Sequence, residues 1–311
     1  MTISAKAVKR VLGLICILLL TAPPTALAQD GMIVVPVAVS RPLQNVVTVS
    51  PVKGKFTDPV AAVASITDAS ATNPYLVVIG PGVYTVTSPI VMKPYVDIAG
   101  SGENVTKITG AISTTAAETS AIILGSDNAA LSSLTVENTG GAKVSIALYN
   151  RYASPMVKNV VAKATGGESS YGVRNHHSSP TLTGVTATGH GQTIGQGVHN
   201  YYYSHPAMTN VNADGWGTNS CGIYNLSHSS PTMTGVTAMG GLGGNSYGIY
   251  SLSVSCPTIR RSTIAGGIYA VYIAGDCTAM ISQSTIVGRV NGSKCVACDN
   301  ASGNALDGSC Q

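Results

Sequence analysis

The second half of this chain is written in near copies of one unit, and that periodicity restricts the fold more than any other feature. Tyr171-Gly172-Val173-Arg174-Asn175, Gly197-Val198-His199-Asn200, Gly222-Ile223-Tyr224-Asn225 and Gly248-Ile249-Tyr250-Ser251 recur at steps of 25, 25 and 26 residues. A proline step recurs in the same rhythm at Pro155, Pro180, Pro206, Pro231 and Pro257. Each step is followed by a short strand-like run such as Thr181 to Ala187 or Thr232 to Ala238. A fixed period in this range means stacked supersecondary units that bury a core only against one another.

Strand residues alternate between two faces. Applied to the repeat, alternation aligns Leu148, Val173, Val198, Ile223, Ile249 and Val271 in one apolar column. Val157, Leu182, Met208, Met233 and Ile259 form a second; Val160, Val185, Val211 and Val236 a third; Ala162, Ala187, Ala213 and Ala238 a fourth. The stretches between are Gly, Ser, Thr and Pro, leaving no room for the helix of a βαβ unit. Each unit therefore reads as one all-β turn with two short strands, paired in parallel with the turns before and after it. Asn150, Asn175, Asn200 and Asn225 close the first strand of successive units. They are expected to stack as an amide ladder, to take the left-handed corner conformation that Asn tolerates, and to end at Ser251.

The ends read differently. Lys6, Lys9 and Arg10, the apolar run Val11 to Leu20, and Ala26-Leu27-Ala28 form an export signal over 1–28. Residues 29–54 are an extension without repeat, 55–290 the solenoid and 291–311 a cysteine-rich terminal cap. Asp58 to Thr67 has the spacing of a short amphipathic helix, assigned as the cap of the amino end. Without the leader's three cations the chain carries 14 basic against 13 acidic residues, so charge offers no case for nucleic acid or anionic lipid. No later run is long enough to span a membrane. The expectation is an exported protein, periplasmic, cell-surface or secreted. Beyond the leader, six cysteines remain: Cys221, Cys256, Cys277, Cys295, Cys298 and Cys310. In an exported chain the even count favours disulfides, with Cys256, Cys277, Cys295, Cys298 and Cys310 as the candidates and Cys256 with Cys277, about one repeat apart, as the preferred pair. Cys295-Val296-Ala297-Cys298 is read as structural rather than as a zinc or redox site.

Val77-Val78-Ile79-Gly80-Pro81-Gly82-Val83-Tyr84, Asp97-Ile98-Ala99-Gly100-Ser101-Gly102 and Thr106-Lys107-Ile108-Thr109-Gly110 resemble the opening coils of pectin-lyase-fold proteins, pectin methylesterases among them. The repeated Gly-Val/Ile-Tyr-Asn and Ser-Pro-Thr-Met-Thr-Gly-Val-Thr-Ala units are similar to bacterial exported right-handed parallel β-helix repeat proteins of undefined function. Spanning about 55–311, the resemblance implies an all-β, right-handed parallel β-helix. It implies little about activity, because this fold hosts lyases, hydrolases, esterases and adhesins.

Polysaccharide chemistry on such a fold needs grouped carboxylates. Residues 171–288 contain only Asp214 and Asp276, far apart in the coil pattern. Gly189-His190-Gly191 is similar to a polygalacturonase segment, but the aspartates that accompany it in that family are missing, and it is read as coincidence. No catalytic residue, metal ligand or cofactor site is assigned. A row of Tyr149, Arg174, His199, Tyr224, Tyr250 and Tyr272, flanked by His176 and Tyr201, is expected to face outward as a stripe suited to sugar rings. Cross-strand packing alone would also explain it. Three classes stay open: a non-catalytic β-helix binding a polysaccharide or cell-surface partner along the stripe, an atypical polysaccharide-modifying enzyme, and a purely structural envelope or adhesion element.

Overall fold

The computed structural model describes residues 45–113, 120–241 and 244–311. The expected leader and most of the extension lie outside the described residues. The chain winds as a right-handed parallel β-helix, and every pairing between its named strands is parallel. Each regular coil contributes three strands rather than two. The first sheet stacks Ile90–Val91, Ala121–Leu124, Val144–Arg151, Ser169–His176, Ile194–Tyr201, Asn219–Leu226 and Asn245–Ser251. The second runs from Asn45–Val49 and Tyr75–Ile79 through Thr181–Thr183, Ala207–Thr209 and Thr232–Thr234 to Ser293–Val296. The third contains Gly82–Thr85, Thr106–Gly110, Thr186–His190, Asn212–Trp216 and Thr237–Gly240.

The extra strand comes from a corner that period-2 reading overlooks. Asn159, Gly184, Asn210, Gly235 and Arg261, one per coil, have φ between 48° and 63°. The first four alternate Asn and Gly for a steric reason. A Cβ at Gly184 would lie 2.6 Å from Asn159 Oδ1, and one at Gly235 would lie 2.5 Å from Asn210 Oδ1. A coil whose corner asparagine leans forward therefore needs a glycine in the next.

The four apolar columns meet inside the coil. Leu148, Val173, Val198, Ile223, Ile249 and Val271 are fully buried, as are Val157, Leu182, Met233 and Ile259. The asparagines form the expected ladder in the same interior. Asn150 Nδ2 donates to Asn175 Oδ1 at 2.8 Å, Asn175 to Asn200 at 2.8 Å and Asn200 to Asn225 at 2.9 Å. Ser251 does not break it, because its Oγ accepts from Asn225 Nδ2 at 2.9 Å. The asparagines are not the left-handed residues, however. That conformation falls two positions later, at Tyr152, His177, Tyr202, Ser227 and Ser253. Inter-coil bonds such as Tyr152 N–H to His176 O at 3.0 Å hold bulky side chains in this costly region. A second ladder follows, in which the N–H groups of Ser178, Ser204 and Ser229 donate to the hydroxyls of Ser204, Ser229 and Ser255.

A helix occupies Pro59–Ala64, shorter than expected. Asp58 caps it by accepting from Val60 N–H at 2.9 Å, proline takes the first turn, and Lys93 Nζ bonds the carbonyls of Ala64 and Ile66. Ala62 and Val63 reach the core. Asn45–Val49, within the segment left unplaced by the repeat, pairs in register with Tyr75–Ile79. Of the cysteines, Cys256 bridges Cys277 as expected and Cys295 bridges Cys310. Cys298 and Cys221 are buried free thiols, which corrects the reading of Cys298 as a bridging cysteine. Cys298 follows the left-handed Ala297 as Ser284 follows Gln283, so it fills an inward place in a serine column.

Replacing Asn200 by Ala strands Asn175 Nδ2 and Asn225 Oδ1 in a dry interior. The expected cost is on the order of 3 kcal/mol in chemical denaturation. Ser251→Ala, at the ladder's end, should cost about 1 kcal/mol. Equal losses for the two variants would contradict a continuous ladder.

Candidate functional site

The first sheet carries an unusual outer face because its strands do not alternate regularly. Gly172, Gly197, Gly222 and Gly248 lie where a Cβ would strike atoms of the third sheet. At Gly172 these are Thr188 N at 2.5 Å and Ala162 O at 2.9 Å. The two sheets touch there through backbone alone, so glycine and the following core residue both point inward. The outward positions then fall three apart. Tyr149, Arg174, His199, Tyr224, Tyr250 and Tyr272 form one column, in register from coil to coil. Ile146, Tyr171, Gln196, Cys221, Tyr247 and Tyr269 form a second, three residues earlier. The sequence reading missed the second column, although the same period displays it, because strict alternation points to the glycines instead.

The first column is not the exposed stripe that was expected. Tyr149 is 2% exposed and His199 7%, and Tyr149 packs with Ala121, Ile146 and Tyr171 in a small apolar cluster outside the coil. Their neighbours cover them: His199 lies between the rings of Tyr171 and Tyr224, with centroids at 5.2 and 5.1 Å. Arg174, half-buried, sets its guanidinium 5.7, 5.0 and 5.5 Å from the rings of Tyr149, Tyr171 and Tyr201. His176 and Tyr201 stack at 4.4 Å beside it. Tyr224, Tyr250 and Tyr272 are half-buried and continue the column with tilted contacts of 5.4 and 5.2 Å.

A groove opens where the second column changes size. Gln196 and Cys221 stand between Tyr171 and Tyr247, and their smaller side chains leave a notch of about 310 Å³. It is bounded by Ile194, Asn219, Tyr224, Asn245, Tyr247 and Tyr250. Tyr247 and Tyr250 stack at 4.4 Å and 12°, making one wall. Gln196, 6% exposed, has no hydrogen-bond partner for its Oε1. Both ring nitrogens of His199 and the Nε of Arg174 are likewise unpartnered. Buried polar atoms without partners are rare enough to require an explanation. A wider hollow, about 730 Å³, lies between the last coils and the terminal tail, bordered by Arg289, Asn291, Leu306 and Gln311. None of its lining side chains leaves a buried polar atom unpartnered, so the notch is the stronger candidate.

Burial dominates the electrostatics of the notch and of the column beside it. Burial holds His199 well below the usual imidazole range, and the charge of Arg174 and the neighbouring His176 push the same way. Burial pushes the Cys221 thiol far up, so it is no thiolate nucleophile. Burial also lifts Tyr224 to about 12. The two outward columns contain no Asp or Glu. Neutral donors and acceptors, aromatic faces and one guanidinium remain on this face.

Asp214, from the following coil, lies close enough to His190 to act on its charge, opposing the burial that lowers its pKa. His190 thus has one aspartate nearby on the third sheet, not the paired aspartates whose absence set it aside. Among the described residues no group of three or more His, Cys, Asp or Glu could hold a metal ion.

His199 makes stability depend on pH. In the unfolded chain it takes up a proton near pH 6.5, whereas in the fold it resists protonation. Its contribution is complete above about pH 6.5 and is lost as pH falls below that value. The protein should therefore unfold at lower denaturant near pH 5 than near pH 7.5, and His199→Gln should shrink that difference. An unchanged pH slope in the variant would refute the assignment.

No family model and no curated relative matches the chain. Among solved structures it is similar to pectin methylesterase PemA from Erwinia chrysanthemi, at 12% identity over 87% of this chain and 92% of that one, with a TM-score of 0.43. Pectin methylesterase from carrot is 12% identical over 90% of this chain and 89% of that one, TM-score 0.43. The A-module of Azotobacter vinelandii mannuronan C-5 epimerase AlgE4 is 16% identical over 78% and 71%, TM-score 0.41.

Proposed function

We propose that the protein is a non-catalytic, exported glycan-binding β-helix whose notch on the first sheet takes an acidic polysaccharide. The observation that carries this reading is Gln196, a lining residue of the tyrosine-walled notch whose buried Oε1 has no hydrogen-bond partner. A sugar hydroxyl is the donor it lacks, while the apolar face of the same ring stacks on Tyr247 or Tyr250. Arg174 lies in the next column, two coils from Tyr224 and thus about 10 Å away along the axis. Its guanidinium suits a carboxylate or sulfate carried by a neighbouring sugar unit. With no Asp or Glu in either column, nothing on this face repels such a group.

Sheet packing alone accounts for Tyr149 and Tyr171, which are covered, but not for the orphaned amide. Acid–base cleavage calls for a pair of carboxylates, and the two columns supply none. The short helix Pro59–Ala64 fits the role of an amino-terminal cap, because its buried face joins the first coils.

Isothermal titration with acidic hexasaccharides, among them hexagalacturonate and a sulfated galactan fragment, tests the reading. Cys221→Tyr continues the tyrosine column through the notch and removes no polar group. It should weaken binding tenfold or more, on the order of 1.4 kcal/mol. Arg174→Gln should erase the preference for acidic over neutral chains. Binding unaffected by Cys221→Tyr, or no binding of any acidic chain, overturns the reading.

A further inference from the structure

We infer that the third sheet carries a second, independent saccharide site, built on Trp216 with Asp214 and His190, and that it takes neutral pyranose units. Trp216 is the one tryptophan of the chain and is 44% exposed. It stands at the end of Asn212–Trp216, a strand paired in register with Thr186–His190, so its backbone is fixed by the coil rather than by a loop. Its side chain is fixed as well: Nε1 donates to Asp214 Oδ2 at 2.8 Å. The sequence makes room for the ring. Where Trp216 follows His190 in its column, the next coil offers Gly241, and a Cβ there would come within 2.9 Å of indole Cδ2 and Cε3. On the preceding coil the His190 ring meets the indole edge-on, at 5.9 Å and 66°.

A large aromatic that is immobilised yet left in water gains little for the fold from its apolar surface. It is, however, well prepared to stack on the C–H face of a sugar ring, because the entropy of ordering it has already been lost. The polar groups beside it select the type of sugar. Asp214 accepts one bond from the indole and presents a second carboxylate oxygen, an acceptor for hydroxyl donors. His190, whose pKa burial lowers, offers one donor and one acceptor as a neutral ring near neutral pH. Lys163, two coils before Asp214 in its column, is tied to Glu137 at 3.3 Å. The carboxylate of Asp214 therefore faces the ligand, disfavouring uronates and welcoming neutral rings, the reverse of the first sheet with its Arg174. The two sites differ in sheet and in charge.

A single tryptophan makes the test specific, since its emission reports this site and not the tyrosine-walled notch. Tryptophan fluorescence of the full chain is titrated with neutral hexasaccharides (cellohexaose, xylohexaose, mannohexaose and maltohexaose) and with hexagalacturonate. The expected result is a saturable shift with at least one neutral chain and at least tenfold weaker response to hexagalacturonate. Asp214→Asn, nearly isosteric and at a half-buried position facing out of the coil, should weaken the neutral response about tenfold while the unfolding midpoint stays close to that of the parent. Cys221→Tyr, in the other site, should leave the response intact. The inference is overturned if no neutral chain shifts the emission at millimolar concentration, if hexagalacturonate acts as well as the neutral chains, or if Cys221→Tyr abolishes the shift.

Discussion

The amide ladder from Asn150 to Ser251 pairs buried polar side chains inside this coil with those of the coils before and after, and the register of the whole solenoid depends on it. Each asparagine is fully buried and gives its Nδ2 proton to the next carbonyl oxygen at 2.8–2.9 Å. An unpaired amide in that position would cost more than its bond contributes, since burial removes water from both groups. The ladder therefore penalises any slip of register between coils, and apolar columns without it would tolerate such a slip more readily. The serine ladder at Ser178, Ser204, Ser229 and Ser255 repeats the arrangement three or four residues later, pinning the corner where bulky residues sit at positive φ.

The same logic makes the outer face. Because Gly172, Gly197, Gly222 and Gly248 press against the third sheet, each strand turns two consecutive residues inward and its outward side chains fall three apart. Two columns then run side by side, near enough for Tyr247 to stack on Tyr250 and for Arg174 to lie over Tyr171. A perfect repeat would have filled both columns evenly. The notch exists because two coils depart from the pattern, placing Gln196 and Cys221 where neighbouring coils have tyrosine. Recognition in a solenoid belongs to such departures, since an unbroken column is satisfied by its own members. Trp216 and Gly241 on the third sheet are another departure, with a large ring and an absent side chain on adjacent coils.

Sequence periodicity alone determined the parallel β-helix, the identity of the four core columns, the asparagine ladder and the Cys256–Cys277 bridge, because each depends on which residues recur at one coil's spacing. Parallel stacking turns recurrence directly into contact. What recurrence could not supply was the direction of a side chain relative to the coil wall. The third strand per coil depends on left-handed residues at Asn159, Gly184, Asn210 and Gly235, and no alternation rule marks them. The column of Tyr171, Gln196, Cys221 and Tyr247 was hidden by the glycine that shifts the alternation, a shift imposed by a sheet distant in sequence. Tyr149 and His199 were read as exposed because their cover, Tyr171 and Tyr224, comes from neighbouring coils at an angle the sequence does not encode. Cys298 remains a thiol because Cys310 reaches Cys295 instead, and Asp214 meets His190 only because the two strands pair. One-dimensional order determined what repeats; three-dimensional packing decided which of the repeated residues are covered and which are left exposed.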